Sequence, residues 1–299
     1  MARPNFLIIG AAKSGTTAFY QALRQHPQVF LSAVKEPHYF AFAGERMDYR
    51  GPGVTINATS ITDLDEYEKL FAGVTHETAV GEASALYLYV PAAAPRIREY
   101  APEMKLIVIL RQPAERAFSA FMHLTRDGRE PLNDFAAALR AEAERTRENW
   151  GFLWRYTGLG FYAQQLTRYY ALFPRTQIRV FLYDDFRSDQ LGTVREACRF
   201  LAVNDAFTPA MSLRPKVSGA PRNRWLHDFL RGPHPAKRLA KLMLPASLRE
   251  RAKLRLTNRN LVKQELPPDL KRELTEVFRD DILQLQDLLG RDLTAWFDS

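Results

Sequence analysis

The sequence predicts an α/β protein with a central parallel sheet flanked by helices. Three observations carry this reading. Apolar runs of strand length alternate with stretches of helical periodicity, the pattern of repeated βαβ units. One run, Leu106-Ile107-Val108-Ile109-Leu110, is apolar on both faces, as a strand sandwiched between helices should be. Another, Phe6-Leu7-Ile8-Ile9, runs straight into a glycine-flanked loop from which a helix begins.

In chain order, strands are expected at 6–9, 29–31, 79–82, 106–110 and 178–183, and helices at 16–25, 64–71, 113–125, 132–147, 161–172 and 192–201. Pro113 suits the first position of its helix, where a missing N–H costs nothing. Residues 47–61, rich in Gly, Asn and Thr, read as an excursion over the surface. Prolines alternate with basic, leucine-bearing stretches over 221–256, which suggests short amphipathic helices. After Pro267-Pro268, a stripe of Leu270, Leu274, Val277, Phe278, Ile282, Leu285, Leu288 and Leu289 predicts one helix that stops at Gly290. The expectation is a single domain over 1–299 with a basic helical portion from about 221 to 299.

A chain of 299 residues, 46% hydrophobic, can bury a full core. No apolar run approaches the ~20 residues that span a bilayer, and the apolar stretch after Met1-Ala2-Arg3-Pro4 is too short for a signal peptide. The single cysteine, Cys198, excludes an internal disulfide and reads as a buried thiol. These features point to the cytoplasm. The net charge of +8 is uneven: 211–263 holds 14 Lys/Arg against Asp228 and Glu250, a net +12 that leaves the remainder at −4. Segment 222–263 is therefore a candidate for peripheral contact with an anionic membrane face or an acidic acceptor. Nucleic acid is not expected as a partner, because no recognised module is present and aromatics do not interleave with the basic residues.

The chemistry begins at Gly10-Ala11-Ala12-Lys13-Ser14-Gly15-Thr16-Thr17. A strand, a glycine loop and a helix start deliver backbone N–H groups to one point, an anion cradle. The Gly10-x4-Gly15 spacing matches a P-loop, but Thr16 stands where a nucleotide hydrolase carries its lysine, and the lysine is Lys13, inside the loop. There it lies closer to the bridging oxygen of a shorter group, which suits a donor whose leaving group is a single 5′-phosphate. An ATP- and Mg²⁺-dependent phosphotransferase and a non-catalytic protein docking on anionic membranes are the competing readings.

The loop resembles the 5′-phosphosulfate loop of the sulfotransferases that use 3′-phosphoadenylyl sulfate (PAPS), in particular the Golgi carbohydrate enzymes and their bacterial relatives. Two further segments extend the resemblance. Lys35-Glu36-Pro37-His38-Tyr39-Phe40 resembles the Lys-Glu-x-His-Phe-Phe region of heparan-type sulfotransferases, and Arg111-Gln112-Pro113 through Ser119 resembles the family's 3′-phosphate motif. The resemblance implies a P-loop-like sulfotransferase fold and a bacterial relative that transfers a sulfuryl group from PAPS to a hydroxyl or an amine, with a carbohydrate or glycolipid as the favoured acceptor and no metal. It implies that Ser14, Gly15, Thr16 and Thr17 hold the 5′-phosphate and that Lys13 meets the charge on the leaving oxygen. It makes Glu36 the general base, with Lys35 and His38 close to the acceptor or the donor sulfate, and gives Arg111 and Ser119 the 3′-phosphate.

Independently of the family, Pro37 biases Glu36 toward an extended backbone. Arg111 is placed by its strand end, where open α/β sheets bind ligands. Arg116 occupies no motif position. In Gly81-Glu82-Ala83-Ser84-Ala85-Leu86-Tyr87, Ala83 and Ala85 replace the lysine and proline of a similar family segment. Gly160-Phe161-Tyr162 is similar to the family's acceptor-side helix. The run from Lys216 to Arg222 resembles a late loop over the nucleotide, which adds Ser218, Gly219 and Arg222 as donor contacts. The six histidines show no metal-ligand spacing.

Overall fold

The computed structural model describes residues 2–210, 220–221, 261–262 and 264–298. Five strands, β1 (Phe6–Gly10), β2 (Val29–Leu31), β3 (Ala79–Ala83), β4 (Lys105–Leu110) and β5 (Ile178–Leu182), form one sheet in the order β2-β3-β1-β4-β5. Every neighbouring pair is parallel, and all five lie where the apolar runs predicted them.

The period of two sorts the strand residues onto two cores. Phe6, Ile8, Ile107 and Ile109 pack with Phe19, Leu23, Val194 and Cys198, from the helices Thr16–Leu23 and Gln190–Leu201. Leu7, Ile9, Leu106, Val108 and Leu110 face a larger core that takes in Ala117, Phe121, Leu166, Leu274 and Ile282. Burial pushes the Cys198 thiol up to about 11, so it behaves as a small apolar side chain. Gly81 is required by the sheet, because a Cβ there would lie 2.4 Å from the carbonyl oxygen of Phe6.

Helix ends differ from the expectation where caps and packing intervene. Residues 132–147 form two helices, Phe135–Arg140 and Glu142–Arg147, the first starting at Asp134, whose carboxylate accepts the Ala137 N–H at 2.7 Å. The C-terminal stripe also divides, into Pro268–Val277 and Arg279–Leu289, around Phe278 at φ −94°, ψ 0°. Phe278 is fully buried, its ring 5.1 Å from that of Phe161, while Val277 is 53% exposed. Tertiary packing of one aromatic thus overrides a continuous stripe. Both helices dock on the sheet domain: Gln112 Nε2 donates to Thr275 Oγ1 at 2.8 Å, and Asp281 accepts the Ala163 N–H at 3.0 Å. Helix Ala93–Tyr100 and the short turns Tyr39–Phe42, Ile56–Thr59 and Tyr183–Ser188 were not foreseen. Ala220–Pro221 pairs antiparallel with Leu261–Val262; the residues between, including most of the basic segment and its expected amphipathic helices, lie outside the described residues.

Candidate active site

At the carboxyl end of β1, the chain turns through Lys13 (φ 72°) and Gly15 (φ 91°) into the helix Thr16–Leu23. Gly15 is needed twice over. Its φ is left-handed, and a Cβ there would meet Tyr183 Cδ2 at 2.9 Å. The Ser14 N–H donates to Ala11 O at 3.2 Å, and the Ser14 side chain is fully buried. That N–H is therefore taken within the loop, while the helix start at Thr16 and Thr17 offers N–H groups that have no preceding turn to bond. Lys13 stands in a cationic setting. Burial, then the charges of Arg126, Arg111 and Lys35, hold its ammonium down at about 8, with Asp127 opposing.

Glu36 is not extended, contrary to the bias expected from Pro37. It adopts φ 61°, and His38 follows at φ 58°. Specific contacts override the proline preference. The Glu36 N–H donates to Ala83 O at 2.9 Å, and its Oε2 accepts the Ala85 N–H at 2.8 Å. Oε1 accepts from Lys35 Nζ at 2.6 Å, and His38 Nε2 lies 3.2 Å from Oε2. Burial pushes this carboxyl up, but Lys35 and then His38 outweigh it and hold the group at about 2, ionised. The His38 N–H donates to Ser84 Oγ at 3.0 Å, and Ser84 Oγ donates to Glu82 Oε2 at 2.9 Å. The loop that carries Glu36 is therefore pinned to the end of β3. Buried Glu82 is pushed up to about 8, against hydrogen bonds from Tyr87 and Ser84. Of the five non-glycine residues at positive φ among those described, three are Lys13, Glu36 and His38; such strain concentrates at ligand sites.

Arg111 follows β4, and Ser119 lies two turns into the helix Pro113–Arg126. One cleft of about 720 Å³ is lined by Lys13, Thr16, Thr17, Glu36, His38, Arg111 and Ser119 together. Residues separated by up to about a hundred positions thus meet at the carboxyl ends of β1, β3 and β4, which is where an open α/β sheet receives ligands. Gly15 also borders the cleft, whereas Ser14 sits beneath it. Ser218, Gly219 and Arg222 lie outside the described residues. Tyr162 is fully buried, and its hydroxyl donates to Arg111 O at 2.9 Å, so it supports the Arg111 turn from below.

The cleft also takes in residues outside the motif strings. His123 and Arg126 line it, and the spacing from Ser119 (four and seven residues on) places them on the same helix face, a signal the sequence did contain. Burial and then Lys13 hold the His123 imidazole well below its ordinary value. Tyr183, directly after β5, lies under Arg111, its ring centroid 4.9 Å from the guanidinium carbon. The far wall consists of 47–61 and the turn around 149–154. Arg50 N–H donates to Asn149 O at 2.8 Å and Gly151 N–H to Arg50 O at 3.0 Å, and Val54, Ile56, Phe152 and Trp154 face the opening. The expected surface excursion is thus part of the cleft. Arg116 is fully buried, its guanidinium donating to Tyr156 O, and takes no part in the cleft.

Comparison with known proteins decides the family. Residues 4–208 match the Sulfotransferase family. The chain belongs to it. A sulfotransferase from Alicyclobacillus acidocaldarius is 37% identical, with a TM-score of 0.79 over 99% of each chain. Mouse sulfotransferase SULT7A1, solved with PAP, is 13% identical with a TM-score of 0.50, covering 94% of this chain and 85% of that one, and shares the fold. The human bifunctional heparan sulfate N-deacetylase/N-sulfotransferase 3 is 29% identical over 67% of this chain and 22% of its own length. The chain spans less than a third of the first curated relatives it matches. The fold is the P-loop-like fold of the sulfotransferases, with its five-stranded parallel sheet. Among the described residues, no helix is long and apolar enough to cross a membrane.

Proposed function

We propose that this sulfotransferase moves a sulfuryl group from PAPS to a hydroxyl, or an amine, of an acceptor, with a carbohydrate or glycolipid as the acceptor class. The observation that carries this is the single cleft shared by Lys13, Thr16, Thr17, Arg111, Ser119 and Glu36. The residue types fit the donor. Among the described residues, the cations Lys13, Lys35, Arg111, Arg126 and Arg129 border the cleft, against Glu36 as the one lining carboxylate, a balance suited to a ligand with two phosphate positions and a sulfate. The PAP bound to the mouse neighbour supports the donor, and the heparan sulfate relative supports a glycan acceptor.

The donor supplies an activated sulfuryl group on a 5′-phosphate. The helix start at Thr16 and Thr17, with their hydroxyls, binds that phosphate. Arg111 offers a forked donor set and Ser119 one hydroxyl to the 3′-phosphate. Glu36, ionised and oriented by Lys35 and His38, accepts the proton of the attacking hydroxyl as the new oxygen–sulfur bond forms. Lys13 sits where its charge offsets the negative charge that builds on the phosphate oxygen as the old bond breaks. His38 acts on the reaction through Glu36.

Calorimetric titration with 3′,5′-ADP and with ATP–Mg²⁺ tests the donor, and incubation with labelled PAPS and a panel of glycan and glycolipid acceptors tests the transfer. Binding of 3′,5′-ADP in preference to ATP, lost on Arg111→Ala, is expected. Preference for ATP would return the chain to the phosphotransferase reading.

A further inference from the structure

Arg111 does not stand alone. Its Nε and Nη2 both donate to Oε2 of Glu115, one helical turn on, at 3.2 and 2.9 Å. Its face rests on the Tyr183 ring. One edge and one face of a planar group are thus fixed, and the Nη1 edge is left for a ligand. This arrangement has an electrostatic cost. A carboxylate on Arg111 makes a neutral pair and sets a negative charge beside any incoming phosphate.

Lys271 removes that cost. Its Nζ donates to the other Glu115 oxygen, Oε1, at 3.0 Å, and its side chain is only 14% exposed. Burial pushes the Glu115 carboxyl up, but Arg111 and then Lys271 bring it below its ordinary value, so the carboxylate is ionised and the three groups carry one net positive charge. Lys271 comes from the helix Pro268–Val277, held to the same turn by the Gln112–Thr275 hydrogen bond. It lies beyond residue 208, where the family match ends.

We propose that Lys271 is a positioning residue for the 3′-phosphate site: it neutralises Glu115, so that Glu115 orients Arg111 without cancelling its charge. This rests on the reading of Arg111 given under Proposed function.

Calorimetry on full-length variants tests it, with 3′,5′-ADP and 5′-AMP as probes that differ by the 3′-phosphate. Lys271→Met is expected to raise the Kd for 3′,5′-ADP about tenfold, the order of one unit charge acting over several ångströms at a largely buried site, while 5′-AMP changes less than twofold. The double variant Glu115→Gln/Lys271→Met, which has no uncompensated carboxylate, is expected to recover most of the loss. A helix-docking ion pair with no part in binding predicts no difference between the two nucleotides and no rescue by the double variant. An equal loss for both nucleotides, no loss for 3′,5′-ADP, or a double variant no better than Lys271→Met overturns the proposal. Wild-type protein that gains no affinity from the 3′-phosphate overturns the reading of Arg111 and this inference with it.

Discussion

The imidazole of His38 reaches back across Pro37 to put Nε2 3.2 Å from Oε2 of Glu36. Lys35, on the other side in sequence, takes the other carboxylate oxygen at 2.6 Å. Two side chains, one from each side of Glu36 in sequence, therefore converge on its carboxylate. The left-handed backbone at Glu36 and His38 makes this possible. An extended chain would put Lys35 on the face opposite Glu36 and His38.

If Glu36 takes the acceptor's proton, Glu36→Gln keeps the shape and removes the base. Turnover is expected to fall by about 10²–10³, with 3′,5′-ADP affinity within twofold of wild type. Steady-state assays with labelled PAPS beside a titration separate the two, and undiminished turnover would remove Glu36 from the role.

Lys35 is the foremost influence holding the Glu36 carboxyl low against burial. In Lys35→Met, burial is expected to prevail and the group to titrate well above about 2. The pH profile of kcat/KM should then gain an acid limb, activity falling as pH drops toward 5. Wild type should show no such limb from this group, because it stays ionised down to about 2. Identical acid-side profiles would contradict the assignment.

Lys13 titrates at about 8 in the ligand-free protein. Its cation is the form that offsets negative charge, so kcat/KM for the donor should decline as pH rises through about 8. An ordinary lysine would give that decline near pH 10.4. Bound donor adds anions beside Lys13 and should move the limb in kcat to higher pH. The same midpoint in both profiles would argue against contact between Lys13 and the donor.

Gly15→Ala forces a side chain into a left-handed position and against Tyr183, 2.9 Å away. About 1–2 kcal/mol for the backbone and a similar amount for overpacking are expected. Scanning calorimetry should therefore show a lower Tm, together with weaker 3′,5′-ADP binding, since Tyr183 also carries Arg111. An unchanged Tm would mean that the loop yields freely.

Much of the fold was legible because the strands, β1 and β4 above all, carry one strong signal, apolar residues buried on both faces. What the sequence hid was decided by contacts between distant segments. Phe278 broke a continuous helical stripe because its ring has a place against Phe161. Glu36 left the conformation its proline favours because the end of β3 offers it two backbone partners, Ala83 and Ala85. Motif residues such as Lys13, Glu36 and Arg111 were visible as strings at strand ends. Tyr183 and Lys271 belong to no string, and only the folded chain brings them to Arg111.

The far side of the opening has a consequence for how such a protein diversifies. Segments 47–61 and 149–154 are clipped to each other through Arg50, Asn149 and Gly151, outside the β-ladders that set the positions of Lys13, Glu36 and Arg111. Ser60 and Ile61 tie the end of the first segment to the Glu36 loop, at His38 Nδ1 (3.2 Å) and Pro37 O (2.8 Å); ahead of that anchor, length and composition can change with the least effect on those three side chains. That rim is the natural place to graft a new entrance, altering which molecules are admitted while the donor end stays as it is.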